Sequence, residues 1–161
     1  MRVGLQRIVL VLGLSPVLVG CGDETTTAPP DTPVVRTIAV VEHVVNEVST
    51  DHPPTGDSAG DALTFANQLY DEANTKQVGT DQGYCLRVDV GKSYECTWTA
   101  FLSDGQITVA GPFFDAKEST LAITGGTGAY KDARGEMKLG FRDTPMGTVE
   151  YDFVYNVRID D

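Results

Sequence analysis

The sequence predicts an all-β domain, an eight-stranded antiparallel up-and-down barrel. Two segments, at residues 107–113 and 149–157, alternate apolar and polar side chains with the period of two that is typical of half-buried strands. No window of helical length keeps an apolar stripe at helical spacing. Turn-forming sequences such as SDGQ at 103–106 and DTPMG at 143–147 separate the strand-like runs. Closing eight short strands into a barrel removes the exposed edges of an open sheet.

The first twenty residues are predicted to be a lipoprotein signal peptide. Arg2 and Arg7 precede an apolar run at residues 8–19, which is too short to span a bilayer as a helix. The run ends in LVGC, which resembles the bacterial lipobox, where a small residue precedes the cysteine that receives a lipid. Cys21 is therefore expected to anchor an exported protein outside the cytoplasmic membrane. An ordinary secretory cleavage nearby, with Cys21 left as a free thiol, is the alternative.

Residues 21–35 are predicted to form a flexible tether. The sequence GDETTTAPPDTP at residues 22–33 is rich in Thr, Pro and acidic side chains and contains one small apolar residue. Such a segment buries too little apolar surface to fold. The folded domain is accordingly assigned to residues 36–161, as one barrel.

Eight strand-like runs follow one another along this domain. They lie near residues 36–45, 62–70, 84–90, 94–102, 106–114, 119–124, 134–142 and 147–158. The interior of an eight-stranded barrel is wide enough for core side chains or for one small ligand.

Charge and composition exclude several classes of function. The formal net charge of −11 repels nucleic-acid phosphates, so no nucleic-acid partner is expected. The only histidines, His43 and His52, form no pair with metal-ligand spacing, and neither a metal ion nor another cofactor is expected. The GKS sequence at 91–93 is not a phosphate-binding loop, because Leu86 stands where that motif needs glycine.

Cys85 and Cys96 are predicted to face each other across a hairpin. The segment YCLRVDVGKSYECTW at 84–98 reads as two strands around a turn near Gly91, which brings the two cysteines within disulfide reach. In an exported protein the disulfide is favoured, and two buried free thiols are the alternative. Strict alternation places Cys85 on one face with the polar Arg87 and Asp89, so either this barrel end is polar or a bulge intervenes.

The glycines of TGGTG at 124–128 are interpreted as a connection between two strands. Gly126 and Gly128 begin a G-x-G-x-x-G pattern, but Lys131 stands where its third glycine belongs. The segments on both sides alternate with period two, whereas a dinucleotide-binding loop opens a helix.

The segment STLAITGGTGAYKDARGEMKLGF at 119–141 resembles the signature of plant allene oxide cyclases and dirigent proteins, in which an apolar strand runs into a GG-[ST]-G turn. Three more segments resemble allene oxide cyclase sequence in the same order: GDALTFANQLYD at 60–71, GYC at 83–85 and YECTWTAFLSDGQITVAGPFF at 94–114. The resemblance covers about residues 37–158. It implies a calycin-like barrel with an apolar cavity, structural glycines, and the homotrimer known among relatives.

Carried over residue by residue, the resemblance implies a site inside the barrel. Glu42 in VVEHV stands where the cyclases have a pocket carboxylate, and Asn67 in FANQLYD matches an asparagine that helps to hold a pocket water. These two are the predicted catalytic residues. The predicted ligand-binding residues are Phe65, Cys85, Trp98 and Phe113. Val44 and Phe113 depart from the pattern, because the cyclases have an asparagine and a tyrosine there.

Each of these residues also has a structural interpretation. Glu42 is alternatively a solvated strand carboxylate or half of an ion pair, and the candidate cations are Arg87, Arg134 and Arg158. Asn67 alternatively caps a turn or faces solvent. The large aromatic side chains expected in the core rather than against a ligand are Tyr70, Tyr84, Trp98 and Phe113.

The resemblance implies an exported barrel that binds an apolar substrate and guides its stereoselective cyclisation or coupling, an isomerase-type activity if the protein is an enzyme. In the cyclases, the carboxylate favours positive charge that develops along an unsaturated epoxy fatty acid, and apolar walls impose the reactive bend. The departures at Val44 and Phe113, and a disulfide that consumes Cys85, favour the alternative of a non-catalytic, lipocalin-like ligand-binding or structural surface lipoprotein.

Overall fold

The computed structural model describes residues 34–145 and 147–159, which form nine β-strands. In chain order the strands are β1 (Val34–His43), β2 (Glu47–Thr50), β3 (Ala62–Asp71), β4 (Gln77–Asp89), β5 (Ser93–Leu102), β6 (Gly105–Phe114), β7 (Ser119–Gly128), β8 (Arg134–Phe141) and β9 (Glu150–Ile159). The predicted signal peptide, Cys21 and most of the predicted tether lie outside the described residues. Residues 34 and 35, assigned to the tether, belong to β1 instead. The described part of the chain contains no helix long and apolar enough to cross a bilayer.

Eight strands close into an antiparallel barrel, which confirms the predicted fold class. From β3 to β9 each strand pairs with the next one along the chain. β1 pairs with β9 over its whole length. The last four residues of β1 also pair with β3, from Val40 opposite Asp71 to His43 opposite Gln68, and this pairing closes the barrel. β2 pairs with the other half of β3. β1 and β2 therefore follow one another along the same edge of β3 and act as one interrupted barrel strand.

Two strands were missed in whole or in part. β2 has the sequence EVST and four exposed residues, so it carries no buried alternation that sequence reading detects. β4 begins at Gln77, whereas the sequence analysis began this strand at residue 84. Its first half was missed because it places polar side chains inside the barrel. Asp81 in this half is 1% exposed.

The glycine cluster lies inside β7 rather than between strands. Gly125 and Gly126 pair with Thr108 and Ile107 of β6, and β7 ends at Gly128 instead of residue 124. Gly126 is required by close approach, because a Cβ there would lie 2.4 Å from the carbonyl oxygens of both Gln106 and Tyr130. The connection to β8 follows the cluster, so the interpretation of these glycines as the connection was wrong. The prediction that they are structural stands.

Apolar side chains on the inner faces of the strands form the core of the barrel. The largest fully buried ones are Leu69, Ile107, Val109, Leu121, Met137, Phe153, Tyr155 and Val157. Those from β6 and β9 occupy the alternating positions that the sequence predicted. Burial of this set is the main favourable contribution to folding.

The outer face of β4 is also apolar. Tyr84 and Leu86 are 52% and 45% exposed, so the prediction that Tyr84 belongs to the core was wrong. Val88 and Val90 continue the exposed row. Tyr70 is half-buried and stacks on His43 with ring centroids 4.0 Å apart.

Candidate functional site

A cavity of about 250 Å³ lies inside the barrel. The six residues predicted for the site all belong to its lining: Glu42, Phe65, Asn67, Cys85, Trp98 and Phe113. The exposed residues Glu47 and Ser49 of β2 also line it, so the cavity reaches solvent beside this strand. The fold thus brings the predicted residues together around one cavity, although Glu42 and Phe113 are 71 positions apart in the sequence.

Six aromatic side chains line the cavity. Trp98 is 4% exposed and lies 6.0 Å from Phe65 and 5.6 Å from Phe153 between ring centroids. Phe113 meets Tyr151 edge to face at 5.8 Å and lies 6.5 Å from Tyr94. Rings in contact with one another at these separations stabilise their own arrangement. These ring contacts give the cavity a preformed aromatic wall.

Cys85 and Cys96 form a disulfide in this wall. The two residues are direct partners in the pairing of β4 with β5, and both are 3% exposed. The pairing agrees with the hairpin predicted from the sequence. Because the sulfur of Cys85 is bonded to Cys96, it contributes surface to the cavity and no free thiol.

The inner face of β4 becomes polar beyond the disulfide. Arg87 is 8% exposed, its Nη1 lies 2.8 Å from a carboxylate oxygen of Asp115, and its Nε lies 2.7 Å from Asp57. Its guanidinium carbon also sits 3.7 Å from the ring centroid of Tyr94. The end of the barrel is therefore polar, which explains why Cys85 and Arg87 share a face. Arg87 is engaged by Asp57 and Asp115, so it is not the cation that the ion-pair alternative for Glu42 considered.

Glu42 is held by Asn67. Both side chains are at least 96% buried, and Asn67 Nδ2 donates a hydrogen bond of 2.8 Å to Glu42 Oε1. Asn67 Oδ1 accepts hydrogen bonds from the backbone N–H groups of Val45 and Asn46, at 3.0 and 3.1 Å. Asn67 therefore bridges the interruption between β1 and β2 and orients Glu42. Arg134, another predicted partner of Glu42, instead donates to the carbonyl oxygens of Ala133 and Thr124.

Asp81 is a site residue that the sequence analysis missed. It is 1% exposed and lies opposite Asn67 in the pairing of β3 with β4. Its carboxyl group faces that of Glu42 within hydrogen-bonding range. Neither of its oxygens has a well-aligned hydrogen-bond donor among the described residues, and burial without a donor favours the protonated form of a carboxyl group. The period of two that joins Asp81, Gly83 and Cys85 was the sequence signal for its inward position.

Burial sets the protonation of this pair. Burial, followed by the nearby Asp81, raises the pKa of Glu42 well above its usual value, against a smaller lowering by the hydrogen bond from Asn67. Burial also raises the pKa of Asp81 to about 6. Burial thus favours the protonated form of both groups, and because they interact they titrate as a pair.

The surroundings of the pair contain further acidic groups. Burial, with Glu47 and Glu42, raises the pKa of Tyr151 to about 12, and burial with Asp81 raises the pKa of Tyr155 far above its usual value. Among the described residues, the charged side chains that shift the pKa values of Glu42 and of these two tyrosines are the acidic Glu42, Glu47 and Asp81. Within residues 34–145 and 147–159, no cluster of His, Cys, Asp and Glu has the arrangement of a metal site.

Comparison with known proteins adds family and fold relationships. Residues 42–155 match the sequence model of the allene oxide cyclase family. A pyocyanin demethylase structure is similar over 74% of this chain and 100% of its own, with 28% identity and a TM-score of 0.62. A pterocarpan synthase dirigent protein is similar over 79% of this chain and 86% of its own, with 19% identity and a TM-score of 0.67. An exo-specific intermolecular Diels-Alderase is similar over 79% and 98%, with 13% identity and a TM-score of 0.61.

Proposed function

The chain belongs to the allene oxide cyclase family, and from this membership we propose that it binds an apolar small molecule inside the barrel and guides its stereoselective cyclisation or coupling. The observation that carries the proposal is the cavity of about 250 Å³, which has aromatic walls and one buried carboxyl group, that of Glu42, in its lining. Similar barrels named for small-molecule chemistry, a pyocyanin demethylase and a Diels-Alderase, support a site of this kind.

The proposed mechanism depends on confinement and on one charge. The rings of Phe65, Trp98 and Phe153 restrict a flexible or reactive molecule to a few conformations, which lowers the entropic part of the barrier. Glu42, held in place by Asn67, stabilises positive charge that develops on the substrate in the transition state. A carboxylate already oriented in a buried site needs little reorganisation during the reaction.

A non-catalytic, ligand-binding barrel is the second candidate function. Two observations favour it. The Cys85–Cys96 disulfide removes a thiol from the lining, and Phe113 offers no hydroxyl group to an oxygen of the substrate. The remaining walls still suit the binding of an apolar molecule.

Native mass spectrometry of protein isolated from its own cell envelope, followed by release and identification of the ligand, tests both candidates. We expect wild type to carry an apolar small molecule and to convert it when it is supplied in excess. Glu42→Gln should bind the molecule and convert it at least about a hundred-fold more slowly. The matched control is Glu136→Gln, which makes the same change at an exposed position on β8.

The outcomes separate the two candidates. If wild type binds the ligand but never converts it, only the binding function survives. If no apolar ligand is found under any condition, both candidates fail.

We also propose that the protein is exported and lipid-anchored at Cys21. The supporting observations are the signal-like sequence ending in LVGC and the Cys85–Cys96 disulfide, which is typical of oxidising compartments. Intact mass and detergent partitioning of native protein provide the test, with Cys21→Ser as the comparison. Soluble wild-type protein with an unmodified Cys21 would contradict the anchor.

The homotrimer implied by the family resemblance is likewise a proposal. It is supported by an apolar outer row along β4 and the turn after it, formed by Tyr84, Leu86, Val88 and Val90, which are 45% to 58% exposed in a single chain. Sedimentation analysis of wild type and Leu86→Lys tests it. Wild type should sediment as a trimer and the variant as a smaller species; a monomeric wild type would refute the proposal.

A further inference from the structure

The cavity combines aromatic walls with an acidic inner end. Glu42 contributes to the lining and is 4% exposed, and Asp81 lies behind it at 1% exposure. Glu47 adds a third carboxyl group beside the opening. Arg87 lies six residues along β4 from Asp81, which corresponds to roughly 20 Å of strand, and its charge is already paired with two aspartates.

In the part of the chain that the structure describes, the groups that raise the pKa values at this acidic end are themselves acidic. Among the described residues, the ionisable groups that face Glu42 and Asp81 are Glu47 on β2 and Tyr151 and Tyr155 on β9, and none of them carries a positive charge. Both carboxyl oxygens of Asp81, although buried inside the barrel, lack a well-aligned donor. Buried carboxyl groups without a cation are costly unless they share protons or meet a cationic ligand.

We propose that the cavity recognises a planar aromatic ligand that carries a positive charge on a ring nitrogen, and that Glu42, supported by Asp81, binds that charge. The inference rests on the proposed function, because it names the class of molecule that the same cavity takes. The faces of Phe65, Trp98 and Phe153 attract a cationic ring through their quadrupoles as well as by apolar contact. A ligand carboxylate, as on a fatty acid, would instead meet like charges at the inner end of the cavity.

Binding of a fixed cation is coupled to release of a proton. Because burial raises the pKa of both carboxyl groups, the Glu42–Asp81 pair is expected to hold a proton in the free protein. When the cation approaches Glu42, that proton leaves to solvent. The positive charge of the ligand then neutralises the Glu42 carboxylate in its place. The affinity for the cation should therefore rise with pH, by up to about ten-fold per pH unit while one proton is released. A neutral ligand of the same shape displaces no proton, so its affinity should not depend on pH.

Three bicyclic probes of nearly equal size separate charge from shape: 1-methylquinolinium, 1-methylnaphthalene and 1-naphthoate. Trp98 is the only tryptophan of the chain and lines the cavity, so quenching of its fluorescence reports occupancy. Calorimetry in buffers of different ionisation enthalpy counts the protons released. At about pH 8 we expect the cation to bind at least about ten-fold more tightly than the neutral probe, and the anion to bind most weakly.

The double variant Glu42→Gln/Asp81→Asn removes the charge with little change of shape. It should weaken binding of 1-methylquinolinium about ten-fold or more and leave 1-methylnaphthalene within about two-fold. Glu136→Gln is the control and should change neither affinity. Near-ultraviolet circular dichroism checks that the barrel is intact. If the double variant does not fold, the single variant Glu42→Gln still serves, because it removes the only one of the two carboxyl groups that lines the cavity and should weaken binding of 1-methylquinolinium.

The results distinguish this inference from the proposed function. Tighter binding of 1-methylnaphthalene or 1-naphthoate than of 1-methylquinolinium would refute the cationic ligand and leave the small-molecule barrel in place. Equal binding of all three probes, or cation binding that neither depends on pH nor weakens in the variants, would also refute it. Failure of all three probes to bind would overturn both the inference and the proposed function.

Discussion

Asn67 and Glu42 form one structural unit, in which the amide nitrogen of Asn67 donates a 2.8 Å hydrogen bond to the Glu42 carboxyl group. The amide oxygen of the same side chain accepts from the backbone of Val45 and Asn46. The interruption between β1 and β2 and the orientation of the buried carboxyl group thus depend on one residue. A change at Asn67 should therefore affect both the stability of the barrel and the chemistry of its cavity.

Asn67→Ala is expected to lower the free energy of unfolding by about 2 to 3 kcal/mol, because it leaves two backbone donors and a buried carboxyl group without their partner. Urea denaturation followed by Trp98 fluorescence measures the change. The control is Asn156→Ala. The amide oxygen of Asn156 accepts a 3.2 Å hydrogen bond from the hydroxyl group of Thr37, and this contact is exposed to solvent. A loss at Asn67 no larger than at Asn156 would contradict the assigned role.

The Glu42–Asp81 pair should make the protein less stable as pH rises. The folded-state pKa of Asp81 is raised to about 6, above its value in an unfolded chain, so the folded protein binds the proton more strongly. This contribution is fully present below about pH 4 and is lost as pH rises through about 6. For Asp81 this contribution to the free energy of unfolding is on the order of 3 kcal/mol.

Asp81→Asn should remove most of this pH dependence, since an amide does not titrate. Free energies of unfolding measured at several pH values between about 4 and 7 check the prediction, and the difference between wild type and variant isolates the pair. Asp61 and Asp71 have lowered pKa values, because backbone hydrogen bonds stabilise their charged forms, and they contribute the opposite slope at lower pH in both proteins. Parallel curves for the two proteins would rule out the shared proton.

Gly126→Ala should be strongly destabilising. The added Cβ would lie 2.4 Å from two backbone carbonyl oxygens, which cannot move without displacing β6 and the connection after β7. We expect a loss of about 2 to 4 kcal/mol, measured as the shift of the urea midpoint. Gly125→Ala is the matched control, because its Cβ would meet only a guanidinium nitrogen of Arg134 at 4.0 Å within that distance. A similar loss at both positions would show that close approach is not the reason for Gly126.

Removal of the disulfide by Cys85→Ser with Cys96→Ser should lower the free energy of unfolding by about 2 to 3 kcal/mol, because the bridge closes a short loop in the unfolded chain. The bridge joins residues 11 positions apart. Thermal unfolding of the double variant, compared with wild type under oxidising and reducing conditions, measures the effect. Unchanged stability of wild type on full reduction would count against it.

Much of the barrel was predictable because its signals are local. The alternation through Ile107 and Val109 of β6 and through Phe153 and Tyr155 of β9 identified strands and their inner faces. The turn near Gly91 aligned Cys85 with Cys96, since a hairpin determines its own register. The resemblance of residues 37–158 to the cyclases and dirigent proteins then implied the closed barrel and placed Glu42, Asn67 and four wall residues around its cavity.

Features that depend on distant partners escaped the sequence. β2 pairs with β3 directly after the point where Asn67 holds the backbone of Val45 and Asn46, and nothing in the residues EVST reports these contacts. Asp81 was overlooked because a polar residue in a strand usually faces solvent, and it is inside because the barrel brings it against Glu42.

The sequence by itself therefore determined which residues form most of the strands and which of their faces turn inward, since both follow from the period of the side chains along one strand. The tertiary structure alone decided which charges meet. Closure of β1 onto β3 brings Glu42 beside Asn67, and the pairing of β3 with β4 adds Asp81. The acidic character of the cavity arises from the juxtaposition of three strands, and electrostatic interactions depend on distance and burial in space rather than on order along the chain.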